Sequence, residues 1–312
     1  VTRPGSLLRF ATLALLWGSS FLWIKLALAA FSPVQITLGR VALGALVLVA
    51  MCARKGQRPG WGRDVWLHLA VVALVANTVP FVLFGYGEQT VDSGLAGVLN
   101  ATTPLWTLLF ALLAKQERRM TLMRLAGLLL GFAGIMVIFA PWHAEGLLSW
   151  GALACLAASA SYGVGFVYLS RHLSGRGLPP TATAAGQMIG ATVLTTMAVP
   201  VAGLQPVHLD WLAIASVVVL GTLGTGFAFA LNHQLIADEG PTNAATVTYV
   251  MPIVSVLLGT VVLGEVLSQR VLAGMAVVLV GVALTRRTPR NQPVPVPPEP
   301  ARATQPAACA GD

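Results

Sequence analysis

Charge is what this sequence has least of. Only 10% of its 312 residues are Asp, Glu, Lys or Arg, where a soluble domain carries roughly a quarter. So few charges cannot coat an interior with a water-facing surface. With 56% hydrophobic residues and a mean hydropathy of +0.78, the composition belongs to the membrane class. Cysteine is scarce as well. Cys52, Cys155 and Cys309 lie far apart and show no CxxC or Cys/His spacing, so neither a disulfide framework nor a metal site is expected. The chain also lacks a GxxxxGK[ST] phosphate loop, an HExxH helix and a GxSxG elbow. ATP-driven work by this chain alone, an intramembrane metalloprotease and a serine hydrolase lose their signatures. No enzymatic activity and no cofactor are expected.

What is present is a nearly unbroken series of long apolar runs. Their length and spacing predict an all-α membrane protein with ten transmembrane helices, at roughly 7–31, 33–53, 66–86, 94–114, 122–140, 147–169, 181–201, 211–236, 242–263 and 268–285. The first run is too long for a signal-peptide core and lacks a cleavage site, so it reads as the first span. Pro33, Pro141, Pro180 and Pro241 punctuate the joints, which are short enough for antiparallel neighbours. After Thr285 the chain turns to proline and alanine without apolar periodicity, and 287–312 reads as a disordered cytoplasmic tail.

The net charge of +8 does not point to nucleic acid, because the basic residues sit in short loops. With the N-terminus inside, the cytoplasmic segments collect Arg54, Lys55, Arg58 and Arg63, then Lys115, Arg118, Arg119 and Arg124, then Arg171 and Arg176, and the opposite side keeps only Arg270. The positive-inside rule therefore predicts both termini in the cytoplasm. Arginine far outnumbers Lys25, Lys55 and Lys115, and alanine, glycine and valine abound. That usage suits a high-GC bacterial genome, and a bacterial inner membrane is the expected location.

An internal repeat appears when Asn100 to Glu117 is laid on Thr248 to Glu265. Pro104 meets Pro252, Glu117 meets Glu265 and, after a one-residue deletion, Gly134 meets Gly281. Five spans separate equivalent points, so the copies must cross the membrane in opposite directions. The expected organisation is two inverted five-helix repeats, 1–143 and 144–286, around a central cavity, as in secondary transporters.

Candidate site residues follow from depth and polarity. Pro104 and Pro252 fall near mid-membrane, and each frees the carbonyl four residues earlier, on Asn100 and Thr248. Those kinks are either repaired by Thr102, Thr103 or Thr248 or used to line a cavity. Lys25 and Arg40 sit about 10 Å below the surface by helical rise. They either snorkel or form a rim that receives an anionic group, balanced by Glu88. Asn77, Asn100, Gln187 and Tyr249 are further wall candidates, since unpaired amides in lipid are costly. His233 and then Glu88 are the candidates for proton coupling. Gly127 and Gly131 form a small-xxx-small pair, a weak dimer signal in so glycine-rich a chain; a monomer is expected and a homodimer stays open.

Taken together, the chain resembles the EamA-type transporters of the drug/metabolite transporter superfamily. The resemblance rests on Trp17-Gly-Ser-Ser-Phe-Leu-Trp-Ile-Lys25, Gly39-Arg40, Ser93 through Pro104, Gly127 through Gly134, and Val247-Thr-Tyr-Val-Met-Pro252 continuing to Leu263-Gly-Glu265. It covers nearly the whole chain outside the tail. Lys115-Gln-Glu117 departs from the family's more usual Gly-Glu ending. The resemblance implies a ten-helix carrier that exports amino acids or related small polar metabolites by alternating access. Its partners would be that small-molecule substrate and the lipid bilayer. The alternatives are a multidrug efflux carrier, disfavoured by basic Lys25 and Arg40, and a non-transporting membrane scaffold or sensor.

Overall fold

The computed structural model describes residues 4–57, 62–116, 121–139, 149–207, 210–232, 234–235 and 247–286. Within them the chain is helical, with no strand. Seven helices are long and apolar enough to cross a membrane: α1 (Gly5–Ala27), α2 (Pro33–Arg54), α3 (Arg63–Glu88), α4 (Ser93–Leu113), α6 (Trp150–His172), α7 (Pro180–Ala202) and α8 (Trp211–Asn232). Shorter apolar helices complete the described chain: α5 (Leu122–Phe139), α9 (Val247–Leu263) and α10 (Gln269–Arg286). The seven long helices correspond to seven of the ten expected spans, with described ends within a few residues of those expected. The tail from 287 lies outside the described residues, as do Glu117 and His233.

Local sequence explains where these helices start and bend. Ser32 caps α2 through a capping box with Gln35, and Pro33 occupies the first turn, where a missing N–H costs nothing. Gln35 also donates from Nε2 to the carbonyls of Gly203 and Gln205, tying the start of α2 to the end of α7. In α4 the helix breaks at Ala101–Thr102, one turn before Pro104. The carbonyl released by the proline, on Asn100, accepts the Thr103 hydroxyl at 2.8 Å, and Thr102 donates to Leu99 at 2.7 Å. Both alternatives for Pro104 therefore meet in one segment: the kink is repaired by threonine, and Asn100 and Thr103 line a cavity.

Two irregular turns were not anticipated. Leu74–Thr78 in α3 and Thr222–Phe227 in α8 are π-helical, each a local widening that shifts the following helix around its axis.

Packing is closest where glycines meet. α5 and α10 cross so tightly that a Cβ on Gly281 would sit 2.7 Å from the Gly127 carbonyl oxygen, and one on Gly134 would sit 3.0 Å from that of Gly274. The Gly127/Gly131 pair thus packs against α10 of the same chain. The first half of α4 lies equally close to α9, Gly97 fitting directly over Ser255. Around the bundle, large apolar side chains such as Leu7, Leu46, Leu129, Val193 and Leu257 face outward. Water would penalise such a surface, whereas hydrocarbon is its natural solvent. Trp150 and Trp211 stand exposed at helix starts, as interfacial anchors do.

Candidate functional site

A cavity of about 570 Å³ runs through the middle of the bundle. It reaches from the turn 173–178 between α6 and α7, exposed at 174–177, to the buried side chains of Phe21, Phe84 and Arg40. α1, α2, α3, α4, α6, α7, α8 and α9 all contribute wall residues, while the paired helices α5 and α10 stand outside it. Most of the wall is apolar, with aromatic rings from Trp17, Phe21, Phe81, Phe84, Tyr162, Phe166 and Phe229. Phe21 meets Phe84 edge-on at 5.4 Å, and Tyr162 bridges Phe84 to Phe166 at 6.2 and 6.0 Å.

Arg40 supplies the charge. Its Nε donates to the Thr225 hydroxyl at 2.9 Å, and its guanidinium carbon lies 3.8 Å from the centre of the Phe81 ring. The Thr225 hydroxyl in turn donates to the Leu220 carbonyl, five residues back in the π-turn of α8. Across the cavity, Asn77 sits in the π-turn of α3 and donates to the Val72 carbonyl, also five residues back. Asn77, Asn100 and Gln187 all reach the wall. Neither Pro104 nor Pro252 is a wall residue itself; their neighbours Asn100, Thr103, Thr248 and Met251 are. Tyr249 belongs to α9, and its side chain lies outside the described set.

Lys25 and Glu88 lie beyond the closed end, outside the cavity wall. The Lys25 amine donates to the backbone carbonyls of Glu88 and Val91 at 2.6 and 2.8 Å, stitching α1 to the turn between α3 and α4. It satisfies carbonyls that the end of α3 leaves without helical partners, a placement that also suits the helix dipole. The Glu88 side chain is fully buried, and both carboxyl oxygens lack a hydrogen-bond partner among the described residues. An unpartnered polar group in such a place costs about 1–3 kcal/mol or more.

The same end carries a second tie. Gly264, at φ 68°, reverses the chain after α9 and brings Glu265 onto the start of α4. There the carboxylate accepts the Ser93 and Gly94 amides at 2.8 and 2.9 Å and the Ser93 hydroxyl at 3.1 Å. Asp92, one residue outside α4, has its carboxyl pushed up by partial burial and by the nearby Glu265, with Lys25 pulling the other way. Ser93, Leu95 and Val91 are buried at this seal.

At the open end, Asp64 pairs with Arg176 at 2.6 Å. Beside them His68 shares a 2.8 Å hydrogen bond with the Tyr168 hydroxyl and stacks on His172 at 4.8 Å. The aromatic wall, Thr225, Glu265's capping role and this histidine pair escaped the sequence reading. Only Thr225 left a signal, since it follows Asn77 at the interval that separates Pro104 from Pro252.

Comparison with known proteins places this architecture. The chain matches the EamA-like transporter family over residues 5–140 and again over 149–287. It is 30% identical over 274 residues to the "Uncharacterized inner membrane transporter YedA" of Escherichia coli (strain K12), covering 87% of each chain. It is 26% identical over 271 residues to an "Uncharacterized transporter" of Archaeoglobus fulgidus, covering 87% of this chain and 95% of that one. A third relative, from Streptantibioticus cattleyicolor, is named "Probable terminal-alkyne amino-acid exporter"; it is 28% identical over 273 residues, covering 87% of this chain and 90% of its own. A solved crystal structure shares the fold with a TM-score of 0.64 at 23% identity, covering 91% of this chain and 96% of the other.

Proposed function

Because the chain belongs to the EamA-like transporter family of the drug/metabolite transporter superfamily, we propose that it is a secondary carrier that moves an amino acid or related small polar metabolite outward across a bacterial inner membrane. The observation that carries this reading is a cavity open at one end and sealed at the other. Solute enters from the 173–178 turn and stops beneath Arg40, and the Lys25 and Glu265 contacts close the far side. Alternating access then consists of breaking those ties while the 173–178 end closes.

Ten membrane spans in two inverted five-helix repeats, 1–143 and 144–286, supply the moving parts. Several features support the symmetry. The family matches twice in tandem, and the two π-turns and their i−5 side-chain bonds recur at one interval. The contacts of Gly127 with Gly281 and of Gly134 with Gly274 are also the exchange of one pair under the repeat. With both termini in the cytoplasm, the open end faces inward, in keeping with export. The use of the Gly127/Gly131 face within the chain supports a monomer in the bilayer, with a homodimer through other lipid-facing helices left open. Glu88, buried and without a partner among the described residues, is the preferred coupling group, ahead of His233.

Drug efflux fits less well, because the described wall offers no carboxylate to a cation. The decisive experiment is reconstitution into liposomes and counterflow of a labelled amino-acid and metabolite panel, with impermeant thiol labelling of loop cysteines to fix orientation. Saturable flux of at least one solute is expected. Absence of flux and of any ligand-dependent stabilisation would return the protein to the scaffold reading.

A further inference from the structure

Among the described residues that form the cavity wall, Arg40 alone carries a full charge, and no Asp or Glu reaches that wall. Arg40 is buried at the closed end, yet it has no ion pair among the described residues. Glu88, an acid whose charge reaches it, has both carboxyl oxygens without hydrogen-bond partners among the described residues. Of the five guanidinium donors, the Nε–H is held by Thr225 and one face is covered by Phe81. The terminal amines bond to no described residue. Nε fixed by a hydroxyl and a ring against one face hold the guanidinium plane in place, which suits two parallel hydrogen bonds to a carboxylate. Beyond it the wall carries the rings of Phe21, Phe84 and Tyr162, and its polar groups, among them Ser20, Asn77, Asn100, Thr103 and Gln187, are neutral.

We propose that this site selects an organic monocarboxylate with an aromatic or branched apolar body and no free ammonium group. The carboxylate sits on the Arg40 terminal amines and the body lies among the rings. This rests on the carrier reading and moves its substrate class from zwitterionic amino acids to related acids that bring a net negative charge. A zwitterion would seat its carboxylate equally well, but its ammonium would lose water in a wall that offers it neutral oxygens and no carboxylate.

A ligand series that shares one ring and chain length tests it: 3-phenylpropionate, 3-phenylpropanamide, phenylalanine and 2-phenylethylamine, each titrated against purified protein by thermal shift and assayed for liposome flux. The acid should bind at least about tenfold more tightly than its amide, the loss expected when a charge-assisted pair is removed. Phenylalanine should follow behind, and the amine should not bind. Arg40→Gln should abolish the preference for the acid, and Arg40→Lys should retain part of it. Equal or tighter binding of the amide, phenylalanine or amine overturns the proposal, as does an Arg40→Gln protein that still prefers the acid. Should Arg40→Gln fail to fold, the wild-type series decides alone. Flux of other amino acids with all four compounds ignored overturns the substrate class and leaves the carrier standing; no flux with any solute overturns both.

Discussion

Asn77, on the cavity wall, and Thr225, which holds the wall residue Arg40, make the same unusual contact. Each sits in a π-helical turn and donates from its side chain to the carbonyl five residues back, Asn77 to Val72 at 3.5 Å and Thr225 to Leu220 at 2.9 Å. A π-turn widens the backbone ring and displaces a carbonyl from its usual partner. The side-chain donor fills that gap, and at Thr225 the same oxygen also receives Arg40.

Thr225→Val keeps the shape and removes both bonds. Arg40 then loses the acceptor for Nε and the Leu220 carbonyl loses its donor, at a cost of about 1–3 kcal/mol. The expected result is a lower melting temperature in detergent and weaker substrate binding, with Thr225→Ser near wild type. A Thr225→Val protein indistinguishable from wild type in both measurements would show that the hydroxyl does not position Arg40.

Lys25→Met takes the donor from the Glu88 and Val91 carbonyls. The seal at that end should loosen, and hydrogen exchange across residues 88–97 should speed up by about tenfold or more, as loss of a charge-assisted bond implies. Unchanged exchange there would mean that Lys25 anchors the helix without holding the seal.

Glu265→Ala removes the acceptor for the first two amides of α4. A capping loss of about 0.5–2 kcal/mol is expected, visible as faster exchange at the start of α4. Glu265→Gln, which keeps an oxygen, should cost less. If alanine and glutamine behave alike, the carboxylate charge rather than the hydrogen bond is what matters.

Gly281→Val places a side chain where the Gly127 carbonyl and the Gly131 backbone already stand. Overpacking of about 1–3 kcal/mol or more should appear as a lower melting temperature and poor recovery of folded protein. Gly5→Ala, with nothing within 4 Å of the added carbon, is the control and should be silent.

Asp92 gives a pH signature. Its carboxyl titrates above the usual aspartate range because of burial and Glu265, so the folded state holds that proton more tightly than the unfolded chain. Its contribution to stability therefore rises as pH falls through the raised folded value and is lost on going back up. Asp92→Asn should stabilise the protein at neutral pH and converge with wild type below about pH 4, the ordinary aspartate value. Melting curves across that range that stay parallel would count against the raised proton affinity.

Much of the site was within reach of the sequence because depth and polarity are one-dimensional properties. Arg40, Asn77, Asn100 and Gln187 stood out as polar residues inside apolar runs, and all four reach the cavity wall. Lys25 and Arg40 looked alike by that measure, at matching depth on neighbouring helices. Helix rotation separates them: Arg40 faces the cavity, and Lys25 turns to the end of α3. The π-turns left no compositional mark, since their sequences Leu74-Val-Ala-Asn-Thr78 and Thr222-Leu-Gly-Thr-Gly-Phe227 are ordinary for membrane helices.

The sequence by itself determined that the chain is helical, that its helices suit a bilayer and that it joins a transporter family, because each follows from hydrophobic length, charge scarcity and local pattern along one dimension. Tertiary structure decided which polar residues share a cavity and which close it. Glu265 reaches Ser93 and Arg40 reaches Thr225 across 172 and 185 residues of chain, contacts fixed by how helices rotate and cross. Those rotations depend on packing between helices far apart in sequence, which no local periodicity encodes.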